Sequence, residues 1–217
     1  MDLQSLFELA APVMLKATGL TLLFAVSAMV LGLALGAFIA LLRVLAVPGL
    51  AQAAAVYVSA FRGTPLLVQV FIIYYGLPSI GIEFAPITAG ILALTLNVAA
   101  YLSESLRGAV AGIGDGQWMA GKSLGMTRVQ TLGHIIAPQA LRSAVPSLSN
   151  SLISLIKDTS LVSVIAVTEL MLATKELIST TFQPFPLYLA AALVYWALSL
   201  AFEQLQKLLE KRLAFPH

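Results

Sequence analysis

Five apolar stretches, separated by short polar breaks, set the plan of this chain. The first, Thr18–Leu42, holds no charged residue and exceeds the roughly 20 residues a helix needs to cross a bilayer. Gly32 and Gly36 give it a GxxxG spacing, which permits close helix approach but is also ordinary in membrane helices. Arg43 ends it, and Pro48-Gly49 mark a turn. The second stretch, Leu50–Leu77, is interrupted at Arg62-Gly63-Thr64-Pro65. Proline there removes a backbone donor and pushes the preceding residue out of the helical region, which predicts a kink.

The third stretch is Pro86–Arg107, with Asn97 inside it and Glu104 near its end. A polar island follows, Asp115–Pro138. The fourth stretch runs from about Gln139 through Pro146 toward Val167 and carries Lys157-Asp158 in its interior. A short surface helix with Glu169, Lys175 and Glu176 is expected next. Pro184 and Pro186 then introduce the fifth stretch, about Leu187–Phe202, before a basic tail with Lys207, Lys211 and Arg212.

Inside the island the local signals describe a helix, a break and a second helix. Asp115 is a candidate N-cap, and Gly125 can close that helix in a left-handed conformation. Thr127 and Gln130 form a capping box for the next helix, and Pro138 suits the first turn of another.

Composition agrees with the pattern. The chain is 59% hydrophobic and 10% charged, with a mean hydropathy of +0.95, which excludes an ordinary soluble domain. The net charge of +2 gives no footprint for nucleic acid. Without cysteine there is no disulfide framework or thiolate metal site. His134 and His217 are too few and too far apart in the chain for a metal cluster. Asp2 and Glu8, with no basic leading region, argue against a cleaved signal peptide.

Basic residues set the expected orientation. Five spans place the termini on opposite sides. Arg43, Arg107, Lys122, Arg128, Arg142, Lys207, Lys211 and Arg212 collect on one side, against Lys16 and Lys175 on the other. The positive-inside rule puts the island and the C-terminus in the cytoplasm and the N-terminus outside.

Two motifs compete for the island. Gly116–Ser123 spells G-x-x-x-x-G-K-[ST], the phosphate-binding loop. That mechanism needs a strand feeding a glycine-rich turn; here a membrane helix leads in, and Trp118 and Met119 add bulk. A nucleotide site therefore lacks its context.

The other match carries a family resemblance. The island resembles the cytoplasmic coupling loop of ATP-binding-cassette import permeases, E-A-A, three residues, G, nine residues, I-x-L-P. Met119-Ala120-Gly121 stand at E-A-A, Gly125 at the glycine, Ile135 at the isoleucine and Ala137-Pro138 at L-P. Met119, Gly121 and Ala137 depart from it, and losing the glutamate puts an ion pair or capping role against the ATPase in doubt. Six further tags occur in order: Phe61–Gln69, Tyr75–Pro78, Leu96–Tyr101, Gly116–Trp118, Pro138–Arg142 and Lys157–Leu161. Together they resemble the permeases of histidine, glutamine, arginine and cystine uptake systems. Tyr74–Gly76 and Tyr188–Trp196 look nearest to cystine permeases.

The resemblance implies an all-α, multi-pass protein of the bacterial cytoplasmic (inner) membrane: a five-span type I ABC importer permease with its coupling loop between spans 3 and 4. It implies a single permease domain over 1–217 and, as partners, two ABC ATPase subunits, a second permease copy or paralogue and an external amino-acid-binding protein. ATP and magnesium would be bound by the ATPases, with no cofactor on this chain. Coupling residues would be Gln117, Trp118, Met119, Ala120, Gly121, Lys122 and Gly125; Trp118 could anchor at the membrane interface or in the ATPase groove, and the resemblance favours the groove.

Polar groups in hydrocarbon are costly and face protein or water. At 1.5 Å per residue, Asn97 lies roughly 15 Å into its span, near the midplane. Lys157 and Asp158 reach a similar depth if their helix begins near Pro146. Asn97, Gln69, Lys157, Asp158 and Thr159 are therefore the candidates for a solute path. Lys157-Asp158 could equally make a structural contact with Arg62, Glu104 or a neighbouring helix, since buried pairs commonly serve structure. Glu104 and Arg107, three apart, read as a helix-surface pair. A carrier driven by an ion gradient, coupled through Asp158, is the alternative mechanism.

Overall fold

The computed structural model describes residues 2–213, and the backbone among them is helical, with no strand. His217 lies outside the described residues, as does the Arg212 side chain.

The first helix, α1, is Leu3–Val44, 42 residues and about 63 Å long. It starts well before Thr18 and runs through Pro12. Leu6, Ala10, Met14 and Ala17 explain the extension: they recur at helical spacing and are buried. Three of them pack against Leu170, Leu177, Leu187 and Ala191. Asp2 caps the start, accepting from the Ser5 amide at 3.0 Å and from its hydroxyl. Those bonds hold the Asp2 carboxyl below its ordinary range.

Close packing of α1 on α4 (Pro86–Ala111) forms the centre of the molecule. Here the glycine spacing is used. A Cβ on Gly36 would stand 2.9 Å from the Ala99 carbonyl oxygen, and one on Gly32 would overlap Val98. Phe24, Ala25 and Ala28 of α1 join Ala89, Ala93, Leu94 and Leu102 of α4 in the main core, with Leu155, Ile156 and Val162.

The second apolar stretch is bent far more than a kink. Helix α2 (Leu50–Gly63) stops where Thr64 is extended ahead of Pro65, and α3 (Leu66–Phe71) resumes in a new direction. The bend between Leu50–Gly63 and the run Leu66–Ile80 is 108°. From α3 the chain passes through a π-helical turn, Ile72–Gly76, and a 3₁₀ turn, Leu77–Ile80, closed by left-handed Gly81.

The island folds as two short helices, α5 (Asp115–Ser123) and α6 (Arg128–Thr131). Gly125 turns the chain with φ +73, and the Thr127–Gln130 capping box is complete. Asp115 is not the cap; Gly114 holds that position without a side-chain bond, and Asp115 begins the first turn. Gly116–Ser123 is helical, so no open turn presents amides to a phosphate.

A π-helical turn, Leu132–Ile136, leads directly into α7 (Ala137–Asp158), with Pro138 in its first turn and Pro146 inside. The helix begins nine residues before Pro146, which puts Lys157 and Asp158 at its far end, about 30 Å from its start. A 3₁₀ segment, Thr159–Ile165, then leads to α8 (Leu170–Thr181) and α9 (Pro184–Leu213). Helix α8 is less superficial than expected. Lys175 and Glu176 are exposed, but Leu170, Ala173, Thr174 and Leu177 are buried and Glu169 is fully buried. Glu169 accepts from the Leu172 amide at 3.0 Å and from the Tyr195 hydroxyl at 2.7 Å. The Leu170 amide donates to Thr21 Oγ1 at 3.1 Å.

Among the described residues α1, α4 and α9 are long and apolar enough to cross a membrane, and the bent α2–α3 pair makes a fourth if it is one span. Helix α7 is not in that set. One of its faces is polar, for a reason that concerns the site.

Candidate functional site

Along α7, Ser147, Asn150, Ser151, Ser154 and Asp158 recur every three or four residues and so share a face. Along α4, Asn97, Tyr101 and Ser105 recur every four. The two faces line one groove of about 580 Å³, closed on a third side by Thr64, Pro65 and Leu66 at the α2–α3 bend. Ser105 and Ser147 meet at 2.7 Å between their hydroxyl oxygens and clip the helices together. The chain thus keeps polar side chains in an apolar bundle where they face one another across a groove large enough to hold water, as the cost of burying them requires.

The bend is held open by an amide pair. Gln69 Nε2 donates to the Phe61 carbonyl at 2.9 Å and to Thr64 Oγ1 at 2.9 Å, across the break. Its Oε1 accepts from Asn97 Nδ2 at 2.9 Å. Gln69 therefore braces the wall from behind. Asn97, with its NH₂ group engaged there, is left with its carbonyl oxygen for the groove it lines.

Asp158 lines the groove as well. Thr159 is fully buried and donates to the Ile156 carbonyl at 2.7 Å, and exposed Lys157 is outside the lining. Neither Lys157 nor Asp158 is paired with Arg62 or Glu104. Glu104 pairs instead with Arg43, at 2.6 Å, and with Arg107. Arg62 sits over the Tyr101 ring, 5.4 Å from its centroid. The α4 pair expected at Glu104–Arg107 is present, and Arg43 from α1 adds a third member. The serines and Asn150 of α7 were not singled out from the sequence, although their three-to-four spacing in a stretch taken as apolar is a legible signal.

A second feature occupies the end where Arg43, Arg107 and Arg128 gather. There α5 is seated on α6, with Gly121 buried against Thr131. Arg128 lies over the Trp118 ring at 5.8 Å from the centroid and donates to the Val44 carbonyl at 3.1 Å. That ties the knob to the end of α1. On its outer side Met119 is 62% exposed and Leu124 77% exposed. Asp115, Trp118, Lys122 and Met126 border a hollow of about 570 Å³ beside them. Exposed apolar groups ringed by polar ones mark an interaction surface. Lys122 and Gln117 are exposed around the same helix, and Gln139 Nε2 donates to Gln117 Oε1 at 3.4 Å.

A helical bundle with a polar groove in its apolar body and an exposed two-helix knob at one end suits a membrane transport subunit. Residues 32–215 match the family described as the binding-protein-dependent transport system inner membrane component, and the chain belongs to that family. Among curated relatives, the probable amino-acid permease protein YxeN of Bacillus subtilis (strain 168) is 40% identical over 96% of this chain and 94% of its own. The L-cystine transport system permease protein TcyB of the same organism is 43% identical over 85% of this chain and 79% of its own. A solved chain from an amino acid ABC transporter with histidines superposes with a TM-score of 0.91 at 33% identity, covering 98% of this chain and 99% of that one. A chain of the MetNI methionine ABC transporter, at 17% identity, shares the fold with a TM-score of 0.75 over 99% of this chain and all of the other. The fold is that of type I ABC importer permeases.

Proposed function

We propose that this chain is the membrane-spanning subunit of an ATP-driven importer that moves a polar amino acid from an external binding protein into the cytoplasm. The observation that carries the reading is the groove: two facing helices with amide, hydroxyl and carboxylate groups that can meet both ends of a zwitterion. Asp158 suits an ammonium group. The Asn97 carbonyl and the α7 hydroxyls suit the remaining polar atoms. Identity to amino-acid permeases over nearly the whole chain supports this class of cargo. L-cystine, with two amino-acid ends, is the specific cargo we infer from the cystine relatives.

In this reading the chain crosses the membrane five times, with α7 as the span whose polar face turns inward to the path. The N-terminus lies outside, and the knob and C-terminus lie in the cytoplasm. Two permease copies, or this chain and a paralogue, pair to close the path, because the groove is open along one side. Two ATPase subunits dock on Gln117–Gly125, bind ATP and magnesium, and supply the energy; this chain hydrolyses nothing. Met119 makes the docking contact apolar where the family pattern has a glutamate.

Uptake by vesicles holding the purified permease, its ATPases and binding protein tests the reading. Labelled cystine should accumulate only with ATP inside and should be indifferent to collapse of the proton and sodium gradients. Accumulation without ATP that stops when the gradients collapse would instead favour the ion-coupled carrier, with Asp158 holding the coupling ion.

A further inference from the structure

We propose that the end of the bundle beside the knob holds an anionic phospholipid, with its acyl chain in a groove between α1, α4 and α7 and its phosphate on Arg43, Arg107 and Arg128. Two adjoining hollows carry this inference. The first, of about 270 Å³, is apolar throughout: Ala37 and Leu41 of α1, Leu106 of α4, and Leu132, Gly133 and Leu141 from the run leading into α7 are among its walls. The second, of about 250 Å³, is lined by three arginines, with Trp118 and with Asp115 as its one carboxylate. Val44 and Val110 line both, so the apolar groove opens into the basic cradle without a break.

Position within the chain fits a lipid. Arg43 and Arg107 stand where the first and third apolar stretches end; Ala37, Ala40 and Leu41 of the groove lie within two turns before Arg43 on α1, and Leu106 and Val110 flank Arg107 on α4. Leu41, Val129 and Leu141 are exposed along it. An apolar channel in a membrane-spanning chain meets acyl chains by default; the basic mouth selects among headgroups.

The charge balance favours an anion. Three guanidinium groups face one carboxylate in the lining, and Glu104 behind them neutralises one more, which leaves a net positive cradle. Each guanidinium has five donors. Arg128 spends one on the Val44 carbonyl, Arg43 one on Glu104 and Arg107 two on Glu104, so several donors remain for phosphate oxygens. Planar forked donors suit such oxygens better than an ammonium does. The inference goes beyond the cargo and coupling reading and depends only on the chain spanning a membrane.

The experiment uses the full-length chain in phosphatidylcholine vesicles with trace spin-labelled phosphatidylglycerol or spin-labelled phosphatidylcholine, and reads the motionally restricted fraction of each. Preferential restriction of phosphatidylglycerol is expected. Arg107→Gln and Arg128→Gln should each lower the preference by roughly fivefold, the effect of one basic side chain at an anionic surface. Gly133→Leu changes no charge and should lower it as well, because a Cβ there meets nothing within 4 Å and the added bulk enters the groove. Circular dichroism and melting of each variant separate loss of lipid from loss of fold; Arg128→Lys, which keeps charge, should restore part of the preference. Equal restriction of the two lipids overturns the proposal. So does preference unchanged in folded Arg107→Gln, Arg128→Gln and Gly133→Leu. Displacement by millimolar glycerol phosphate would reassign the cradle to a soluble anion, and displacement by added ATPase subunits would reassign the face to the partner.

Discussion

Replacing Gly121 with alanine should loosen the knob, although alanine is the better helix former. In an unobstructed helix the change would gain about 1 kcal/mol. Here a Cβ would stand 2.5 Å from both Cγ2 and Oγ1 of Thr131 and 3.0 Å from its Cβ. Thr131 cannot simply turn away. It is β-branched and buried, and its Oγ1 donates to the Thr127 carbonyl at 3.0 Å, a bond within the capped turn. Overpacking of this kind costs about 1–3 kcal/mol, and losing the hydroxyl bond costs about 1 kcal/mol more. The clash outweighs the propensity gain, for a net loss of about 1–3 kcal/mol. Amides from Lys122 to Thr131 should then exchange roughly 5 to 150 times faster in the purified complex. Stimulation of ATPase activity by loaded binding protein should fall in parallel. Adding Thr131→Ala removes the two nearest atoms and should recover more than half of the protection. If Gly121→Ala exchanges like the parent chain, or if Thr131→Ala brings no recovery, the close approach of α5 and α6 is not what holds the knob.

Four further outcomes follow from the same structure. Gly36→Leu forces α1 off the backbone of α4 and should lower the melting temperature of the detergent-solubilised chain, at a cost of about 1–3 kcal/mol, whereas Gly19→Leu on the same helix, with open space around it, should not. Tyr195→Phe leaves the buried Glu169 carboxylate one donor short and should destabilise by about 1–3 kcal/mol, measured by thermal melting against Tyr188→Phe at an exposed site. Asp158→Asn should raise the KM for uptake by about tenfold or more, the worth of a charge-assisted bond, while the ATPases still copurify. Gly125→Val imposes a left-handed conformation, at φ +73, on a β-branched residue. It should cost about 1–3 kcal/mol and uncouple uptake from ATP hydrolysis in vesicles.

Much of the architecture was readable from the chain because its signals are local. The caps at Thr127 and Gly125, the break before Pro65 and the glycine pair in α1 each follow from chemistry within a few residues. Misreadings arose where tertiary packing decided. Charge-free length alone placed the start of α1 at Thr18, yet Leu6, Ala10 and Met14 form a buried stripe that needed α8 and α9 as its partner. Asp115 has the right chemistry for a cap, and the helix began one residue too early for it to serve. Glu169 read as a surface charge because nothing nearby in sequence announces Tyr195 or the tightness of the packing around it. The groove was half legible. Asn97 and Asp158 stood out as costly groups in apolar stretches, whereas the serines of α7 are cheap singly and became visible only as a face.

From Arg128 to Asp158 the backbone stays right-handed and helical without a linker, passing through the π turn and past Pro146. A rod of 31 residues reaches about 45 Å, with the docking knob at one end and the carboxylate of the groove at the other. Tilting its foot by about 5° sweeps the far tip through about 4 Å, more than the length of a hydrogen bond. On the proposed reading, a small rocking of a partner that grips the knob would be enough to take Asp158 out of a solute's reach, with continuous helix in between to carry the stroke.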